Sequence, residues 1–385
     1  MNRALEQCHS ILDLRALAQR RLAKPIFHYM DGAAETEITA RRNTSTFDDV
    51  SVMPRCLVDV SSAQTAVTVL GRRIGWPVLC GPTGASRLYH PEGEIAVARA
   101  AFRMETFSSL SVAGTHTIEA IARASAGPKL FQLMVFKDRA LTRELIERCR
   151  VSGYQALCLT VDAAVRGKRE RELHSGMGMS PKLTSTSLLR VASHARWLLG
   201  QYRRGPLSMP NLPQKGGDGL MTRLLSNGVY LGSQINPSAN WDEVAKLVEL
   251  WKGPFAIKGI LHPGDARCAV DIGASAVIVS NHGGRQLDGA ATPFEVLPRI
   301  VDAVAGRAEV ILDGGVRRGV HVMKALACGA KAVMIGRPYL YGLAAGGEAG
   351  VVRALTILRN EFLTAMQLSG CTSADQVDHS VVLRA

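Results

Sequence analysis

Short, continuous apolar runs recur along the chain, and most are followed by amphipathic stretches of helical length. Eight of these runs read as buried strands, at 77–80, 106–110, 130–133, 156–161, 255–258, 276–279, 310–313 and 332–335. Helices are predicted between them, for example at 91–102, with Glu92 and Glu94 in the first turn, and at 138–151, 241–251, 293–304 and 318–328. Eight strand–helix units of this length predict an α/β fold, a (β/α)8 TIM barrel forming a single domain over residues 1–385. A doubly wound sheet is the alternative, but no clear domain break interrupts the rhythm.

Two segments depart from that rhythm. Residues 1–75 are expected to form an N-terminal extension of one or two helices and a short hairpin, covering the bottom or flank of a barrel at 76–345. A C-terminal helical segment follows at 346–385. The gap after strand four, 163–254, far exceeds an ordinary βα loop. An insertion of that length is a lid, a binding element or a disordered segment.

Functional residues of such barrels lie at the C-terminal strand ends. Here those ends carry, in order, Thr83, Ser111, Gln132, Thr160 with Asp162, Lys258, Ser280 with His282, Asp313, and Gly336 with Arg337. One polar residue closing an apolar strand means little. Polar residues on all eight predict a convergent site on one rim.

The sharpest signal is Ser280-Asn281-His282-Gly283-Gly284-Arg285-Gln286-Leu287-Asp288. Histidine moves protons near neutral pH, and arginine grips a carboxylate with two parallel hydrogen bonds. The pair suggests a site that binds an acid and removes a proton from it. Asp162, roughly across the barrel, is a carboxylate able to fix the His282 tautomer and raise its pKa. A second signal is Asp313-Gly314-Gly315-Val316-Arg317-Arg318-Gly319 after strand seven with Gly336-Arg337-Pro338 after strand eight. Such glycine loops let backbone N–H groups approach a phosphate, which Arg317 and Arg337 would neutralise. Asp313 is expected to accept hydrogen bonds from a ribityl or ribose hydroxyl. Lys258, ending strand five, suits the electron-rich edge of a reduced cofactor ring; a plain salt bridge is the alternative.

Composition narrows the partners. The net charge is +13, which fits nucleic acid, an anionic membrane or anionic small molecules. The basic residues are spread out and aromatics make up only 5 %, which argues against nucleic acid. The eight cysteines form no CxxC pair and read as free thiols in a reducing compartment; no metal is expected. The N-terminus has no signal-peptide pattern, and no apolar run approaches the ~18 residues that span a bilayer. The expected location is cytoplasmic, with peripheral attachment to the inner face of the cell membrane as the elaboration. Leu188-Leu189-Arg190, Trp197-Leu198-Leu199 and Tyr202-Arg203-Arg204 in the insertion fit an interfacial membrane contact. An ordinary surface subdomain or an oligomer contact fits them equally.

Nearly the whole chain resembles the FMN-dependent L-2-hydroxy-acid oxidase and dehydrogenase family. The resemblance rests on Phe27-His28-Tyr29-Met30-Asp31-Gly32, Gly81-Pro82-Thr83-Gly84, His90-Pro91-Glu92-Gly93-Glu94, Phe131-Gln132-Leu133, Leu159-Thr160-Val161-Asp162, the nonapeptide, and the two phosphate loops. The segment after strand four is most similar to that of the membrane-associated mandelate and lactate dehydrogenases. The resemblance implies His282 as active-site base with Asp162 as its partner. It implies Arg285 and Arg169 on the substrate carboxylate, with Tyr29 also touching substrate. Lys258 would lie at the flavin N1/O2 edge, stabilising the reduced ring. Pro82, Thr83, Gly84, Ser111, Gln132, Thr160 and Ser280 would contact the isoalloxazine and ribityl parts of FMN. Asp313, Gly314, Gly315, Arg317, Gly336 and Arg337 would hold the ribityl and phosphate.

Two positions depart from the family pattern. Met134 stands where the family usually has a tyrosine, and a thioether cannot donate a hydrogen bond. Ala113 stands where glycolate oxidase has a tryptophan. Together they widen the pocket, so the expected reaction is oxidation of an (S)-2-hydroxy acid larger than lactate, aromatic or branched, to the 2-oxo acid. A quinone-type acceptor or oxygen would take the electrons, and the assembly would be a homotetramer or larger homo-oligomer. The rivals are an FMN barrel of different reaction, such as an isomerase acting on a phosphorylated substrate, and a non-catalytic flavin-binding or membrane-docking homologue.

Overall fold

Eight parallel strands form the centre of the molecule in the computed structural model, which describes residues 3–176, 205–213 and 222–384. They are β1 (Val78–Cys80), β2 (Ser108–Ser111), β3 (Lys129–Met134), β4 (Ala156–Thr160), β5 (Phe255–Ile260), β6 (Ala276–Ser280), β7 (Glu309–Asp313) and β8 (Ala332–Ile335). Sequence neighbours pair from β2 through β8, and β8 pairs with β1. Between β1 and β2 the ladder thins to the Cys80 N–H donating to the Phe107 carbonyl at 3.0 Å. The Thr106 hydroxyl donates to the Val78 carbonyl across the same seam. The result is a nearly closed TIM barrel. Its thin seam follows from the shortness of β1, which Gly81 and Pro82 end after three residues.

Every residue of β1, β2, β4, β6 and β8 is buried. Burial on both faces explains why the strands read as continuous apolar runs and not as alternating ones. The surrounding helices begin where the sequence supplies caps. Asp138 accepts from the N–H groups of Ala140 and Leu141, and Thr292 forms a capping box with Glu295 ahead of the helix Pro293–Val304.

The N-terminal extension holds four helices, Arg3–Glu6, Ile11–Arg21, Lys24–Asp31 and Ile38–Ser45, where one or two were expected. None exceeds 11 residues, too short for periodicity to stand out or for isolated stability. Their order comes from tertiary anchoring. Asp31 takes a fork of hydrogen bonds from Arg15 at 2.7 and 2.8 Å, one from Arg171 at 2.8 Å and one from the Tyr341 hydroxyl at 2.7 Å. Burial alone would raise its pKa; the Arg15, Tyr341 and Arg171 contacts outweigh it and hold the carboxyl well below the usual range. The expected hairpin is Val67–Val69 against Arg72–Ile74. Val50–Val52 pairs antiparallel with Val382–Arg384, tying the N-terminal extension to the C-terminal segment.

Beyond β8 a helix, Arg337–Leu368, runs through a kink at Gly346 and Gly347. The insertion after β4 contributes Glu170–His174, residues 205–213 and Thr222–Gln234 before the barrel helix Trp241–Trp251. The motifs at 188–190, 197–199 and 202–204 lie outside the described residues.

Candidate active site

The C-terminal strand ends open on a cavity of about 540 Å³. Of the residues expected to form the site, all but Asp162 and Ser280 line it. Those two stand directly behind residues that do.

The loop after β6 is built to present His282. His282, Gly283 and Gly284 lie at φ 58°, 67° and 73°, three successive left-handed residues. A Cβ at 283 would meet the Arg337 guanidinium at 2.8 Å, and one at 284 would meet the Ala40 backbone nitrogen at 2.7 Å. Conformation therefore favours glycine at both, and at 284 the facing backbone also leaves no space for a side chain. His282 has no such freedom, and its strain, on the order of 1–3 kcal/mol, must be held in place by its surroundings. The Ser280 hydroxyl accepts the His282 N–H at 3.1 Å. The buried Asn281 amide is locked to Asn43 by reciprocal bonds of 2.8 and 2.7 Å.

His282 Nδ1 meets Asp162 Oδ1 at 2.9 Å. A carboxylate on Nδ1 keeps the proton there and leaves Nε2 as the basic atom. Burial would raise the Asp162 pKa. The charge and hydrogen bond of His282, then the charge of Lys258, outweigh it, so the group lies below the ordinary carboxylate range. Its carboxylate therefore faces the His282 Nδ1 directly.

Lys258 Nζ lies 2.7 Å from Asp313 Oδ2 and donates to Ser280 Oγ at 2.9 Å, while Ser280 Oγ donates to the same Asp313 oxygen at 2.7 Å. Burial disfavours the ammonium, yet the Asp313 and Asp162 charges outweigh it and raise the Lys258 pKa. Lys258 thus forms the salt bridge and also lines the cavity. Asp313, expected to face ribityl hydroxyls, spends one oxygen on that bridge. Ser280, expected at the flavin, is fully buried between them. Ser111 donates to Gln132 Oε1 at 2.6 Å, and Thr83 shares a 2.8 Å hydrogen bond with the Tyr339 hydroxyl.

On the opposite side, three arginines converge on Glu172, which is 1 % exposed. Arg285 reaches it at 2.8 Å, Arg166 at 2.9 Å and Arg169 at 3.6 Å. Arg285 also donates to the carbonyls of Tyr29 and Gly32, at 2.9 and 2.7 Å, and its guanidinium lies 5.5 Å over the Tyr29 ring. Burial and the Arg285 charge disfavour the charged form of Arg169, and Glu172 opposes them. Glu172 escaped the sequence reading. Its signal, an acid three residues after Arg169 in Arg169-Glu170-Arg171-Glu172, looks like an exposed charged turn.

At the end formed by the β7 and β8 loops, Arg337 donates to the carbonyls of Gly283 and Gly32, at 2.9 and 2.7 Å. Its Nε is buried with no partner among the described residues, and burial presses its pKa down to about 10. Arg317, two residues before the helix Gly319–Ala327, also lines the cavity, and the helix Arg337–Leu368 starts there after Gly336. A desolvated cation with an idle N–H, a second cation and a helix N-terminus fit a phosphate. The cavity continues from there to Pro82, Thr83 and Gly84, with Lys258 between, which fits a phosphate-bearing flavin. Among the described residues no cluster of His, Cys, Asp or Glu could hold a metal.

A third wall is apolar: Leu88, Ala113, Met134, Met209 and, from the helix Thr222–Gln234, Leu224, Leu225 and Val229. That helix belongs to the insertion, and its role could not be read from periodicity because any amphipathic helix of the barrel exterior looks the same.

Such a site places the protein among the flavin-dependent barrel enzymes. A family model of FMN-dependent dehydrogenases matches residues 18–384. An L-lactate oxidase of Nostoc sp. is 42 % identical over 375 residues, covering 96 % of this chain and 97 % of that protein. An L-lactate dehydrogenase of Pectobacterium atrosepticum is 40 % identical over 372 residues, 96 % of each. The crystal structure of the monotopic membrane protein (S)-mandelate dehydrogenase superposes with a TM-score of 0.93 at 35 % identity, covering 98 % of this chain and all of that one. The chain belongs to the FMN-dependent dehydrogenase family. Its cofactor is FMN, and it is a 2-hydroxy-acid oxidase or dehydrogenase.

Proposed function

We propose that the protein oxidises an (S)-2-hydroxy acid with an aromatic or branched side chain to the 2-oxo acid. The observation that carries this reading is the shared cavity wall of His282, backed by Asp162 at 2.9 Å, and the Arg285–Arg169 pair. Arg285 and Arg169 hold the substrate carboxylate, with Tyr29 beside them, so that the α-carbon faces His282 Nε2. His282 removes a proton, and Asp162 stabilises the imidazolium. Bound FMN supplies a two-electron acceptor for the substrate. Lys258 opposes the negative charge that arrives there. Pro82, Thr83, Gly84, Ser111, Gln132 and Thr160 hold the ring side of FMN, and Asp313, Gly314, Gly315, Arg317, Gly336 and Arg337 its ribityl phosphate. Met134 and Ala113, within the apolar wall, leave room for a side chain larger than methyl.

The test is anaerobic mixing of the holoenzyme with glycolate, lactate, 2-hydroxyisocaproate and mandelate while flavin absorbance is followed. Bleaching by mandelate or the branched acid ahead of lactate is expected. Lactate ahead of both would reject the proposed size, and no bleaching by any acid would reject the reaction.

For the acceptor we favour a quinone at a membrane surface over oxygen. This is supported by the monotopic character of the mandelate dehydrogenase that the fold matches and by the basic, apolar motifs of the insertion. No helix among the described residues is long and apolar enough to cross a membrane. Arg87 donates to the carbonyls of Gly205 and Pro206, at 3.0 and 3.3 Å, and Asn211 donates to the His116 carbonyl at 2.9 Å. A deletion should therefore spare residues from 205 onward. Removing 183–204 is expected to abolish flotation with anionic vesicles while bleaching by substrate persists. Undiminished flotation would exclude that segment as the anchor.

A further inference from the structure

Tyr89 closes the short 3-10 turn Ser86–Leu88, just after the Pro82–Gly84 loop, with its N–H bonded to the Ser86 carbonyl at 3.0 Å. The residue is 4 % exposed and lines the cavity together with Tyr29, Met134, Arg169 and Arg285. A buried phenol ordinarily spends its hydroxyl on a protein acceptor. Three others in this fold do so. Tyr154 donates to the Ile118 carbonyl at 3.1 Å, Tyr339 to the Gly81 carbonyl at 2.6 Å, and Tyr341 to Asp31 at 2.7 Å.

The Tyr89 hydroxyl has no hydrogen-bond partner among the described residues. It is also absent from the polar atoms that are both sealed and unpartnered, which are His28 Nδ1, Ser109 Oγ, Asp162 Oδ2 and Arg337 Nε. A hydroxyl that is neither paired nor sealed, on a residue this buried, opens onto the cavity. Its surroundings indicate which end. The groups whose charges act on it are Tyr29, Arg285, Glu172 and Tyr339, the first three belonging to the carboxylate clamp. Burial, reinforced by Tyr29, pushes its pKa well above 10, so it stays protonated, a donor and not an anion.

We infer that Tyr89 is a substrate-contacting residue whose hydroxyl donates a hydrogen bond to a carboxylate oxygen of the bound 2-hydroxy acid. The end of β3 offers no such donor, because Met134 has only a thioether there. The inference rests on the function proposed above and adds a third element to the clamp, a neutral donor beside two arginines. A neutral donor fixes the rotation of the carboxylate without adding charge to a cluster that already holds three cations against one carboxylate.

The test is Tyr89→Phe in the holoenzyme, which keeps the ring and removes only the oxygen. The dissociation constant of the 2-oxo acid, read from the perturbed flavin spectrum, should rise roughly 10- to 100-fold, the usual effect of losing one hydrogen bond to a charged group. FMN occupancy and melting temperature should match the parent. If the parent bleaches with a 2-hydroxy acid and Tyr89→Phe binds the 2-oxo acid equally well, the inference fails and the function stands. A loss of FMN in place of the loss in acid affinity would also overturn it, by assigning the hydroxyl to the cofactor. A parent that no acid bleaches rejects the function and, with it, this inference.

Discussion

Replacing His282 with glutamine should leave FMN bound and slow its reduction by a 2-hydroxy acid by about 10²- to 10⁴-fold, the range set by losing a positioned general base. Glutamine still reaches Asp162 through its amide, so the loop after β6 keeps a partner at that point. It cannot take up a proton near neutral pH. The residues proposed to hold the phosphate, Arg317 and Arg337, are on β7 and β8 loops that the substitution does not touch. Stopped-flow bleaching under anaerobic conditions reads the loss, and the protein-bound flavin spectrum reads the retention. Reduction at the parent rate would remove His282 from the role of base. The position at φ 58° tolerates asparagine better than most residues. His282→Asn is therefore the companion variant, and a comparable loss in both would assign the effect to the missing imidazole and not to backbone strain.

The barrel was legible because its strands are buried on both faces and so carry unbroken apolar runs. The least faithful match, β2, shows the same logic in reverse. The run at 106–110 starts early, and Ser108, Ser109 and Ser111 are buried without being apolar, so hydrophobicity pointed two residues upstream of the observed Ser108–Ser111. His282, Arg285 and the glycine loops after β7 and β8 stood out because their chemistry is local, lying within a few residues of a strand end. The Lys258–Asp313 bridge and the Glu172 cluster were not. Lys258 and Asp313 are on β5 and β7, the strands flanking β6, and only the pairing of these three strands brings them together with Ser280. Glu172 and Arg285 are 113 residues apart. Tyr89 was silent for a related reason. Nothing in Leu88-Tyr89-His90 distinguishes a packed ring from one whose oxygen opens onto a cavity.

Glu172→Gln should make the ligand-free protein less stable by about 3–5 kcal/mol, the usual cost of removing one partner from a buried ion pair. The carboxylate is nearly inaccessible and faces Arg285 at 2.8 Å, Arg166 at 2.9 Å and Arg169 at 3.6 Å. Glutamine keeps the shape and one acceptor oxygen but leaves three guanidinium groups without their shared counter-charge. In the binding mode proposed above the substrate brings a carboxylate to the same cluster, so ligand and Glu172 would neutralise the same cations. Two consequences separate this role from simple packing. The 2-oxo acid should stabilise the variant more than the parent, because binding to the folded state adds RT ln(1 + [L]/Kd) and the variant's Kd for an anion is lower. High salt should narrow the stability gap, since other anions partly screen the exposed edge of the cluster. Chemical denaturation with and without the 2-oxo acid measures both. Equal ligand-induced stabilisation in variant and parent would show that Glu172 does not share its cations with the substrate. A larger gain in the variant would mean that the enzyme carries an internal carboxylate where its substrate's carboxylate must act, giving up some affinity to keep its arginines folded and aimed before the acid arrives.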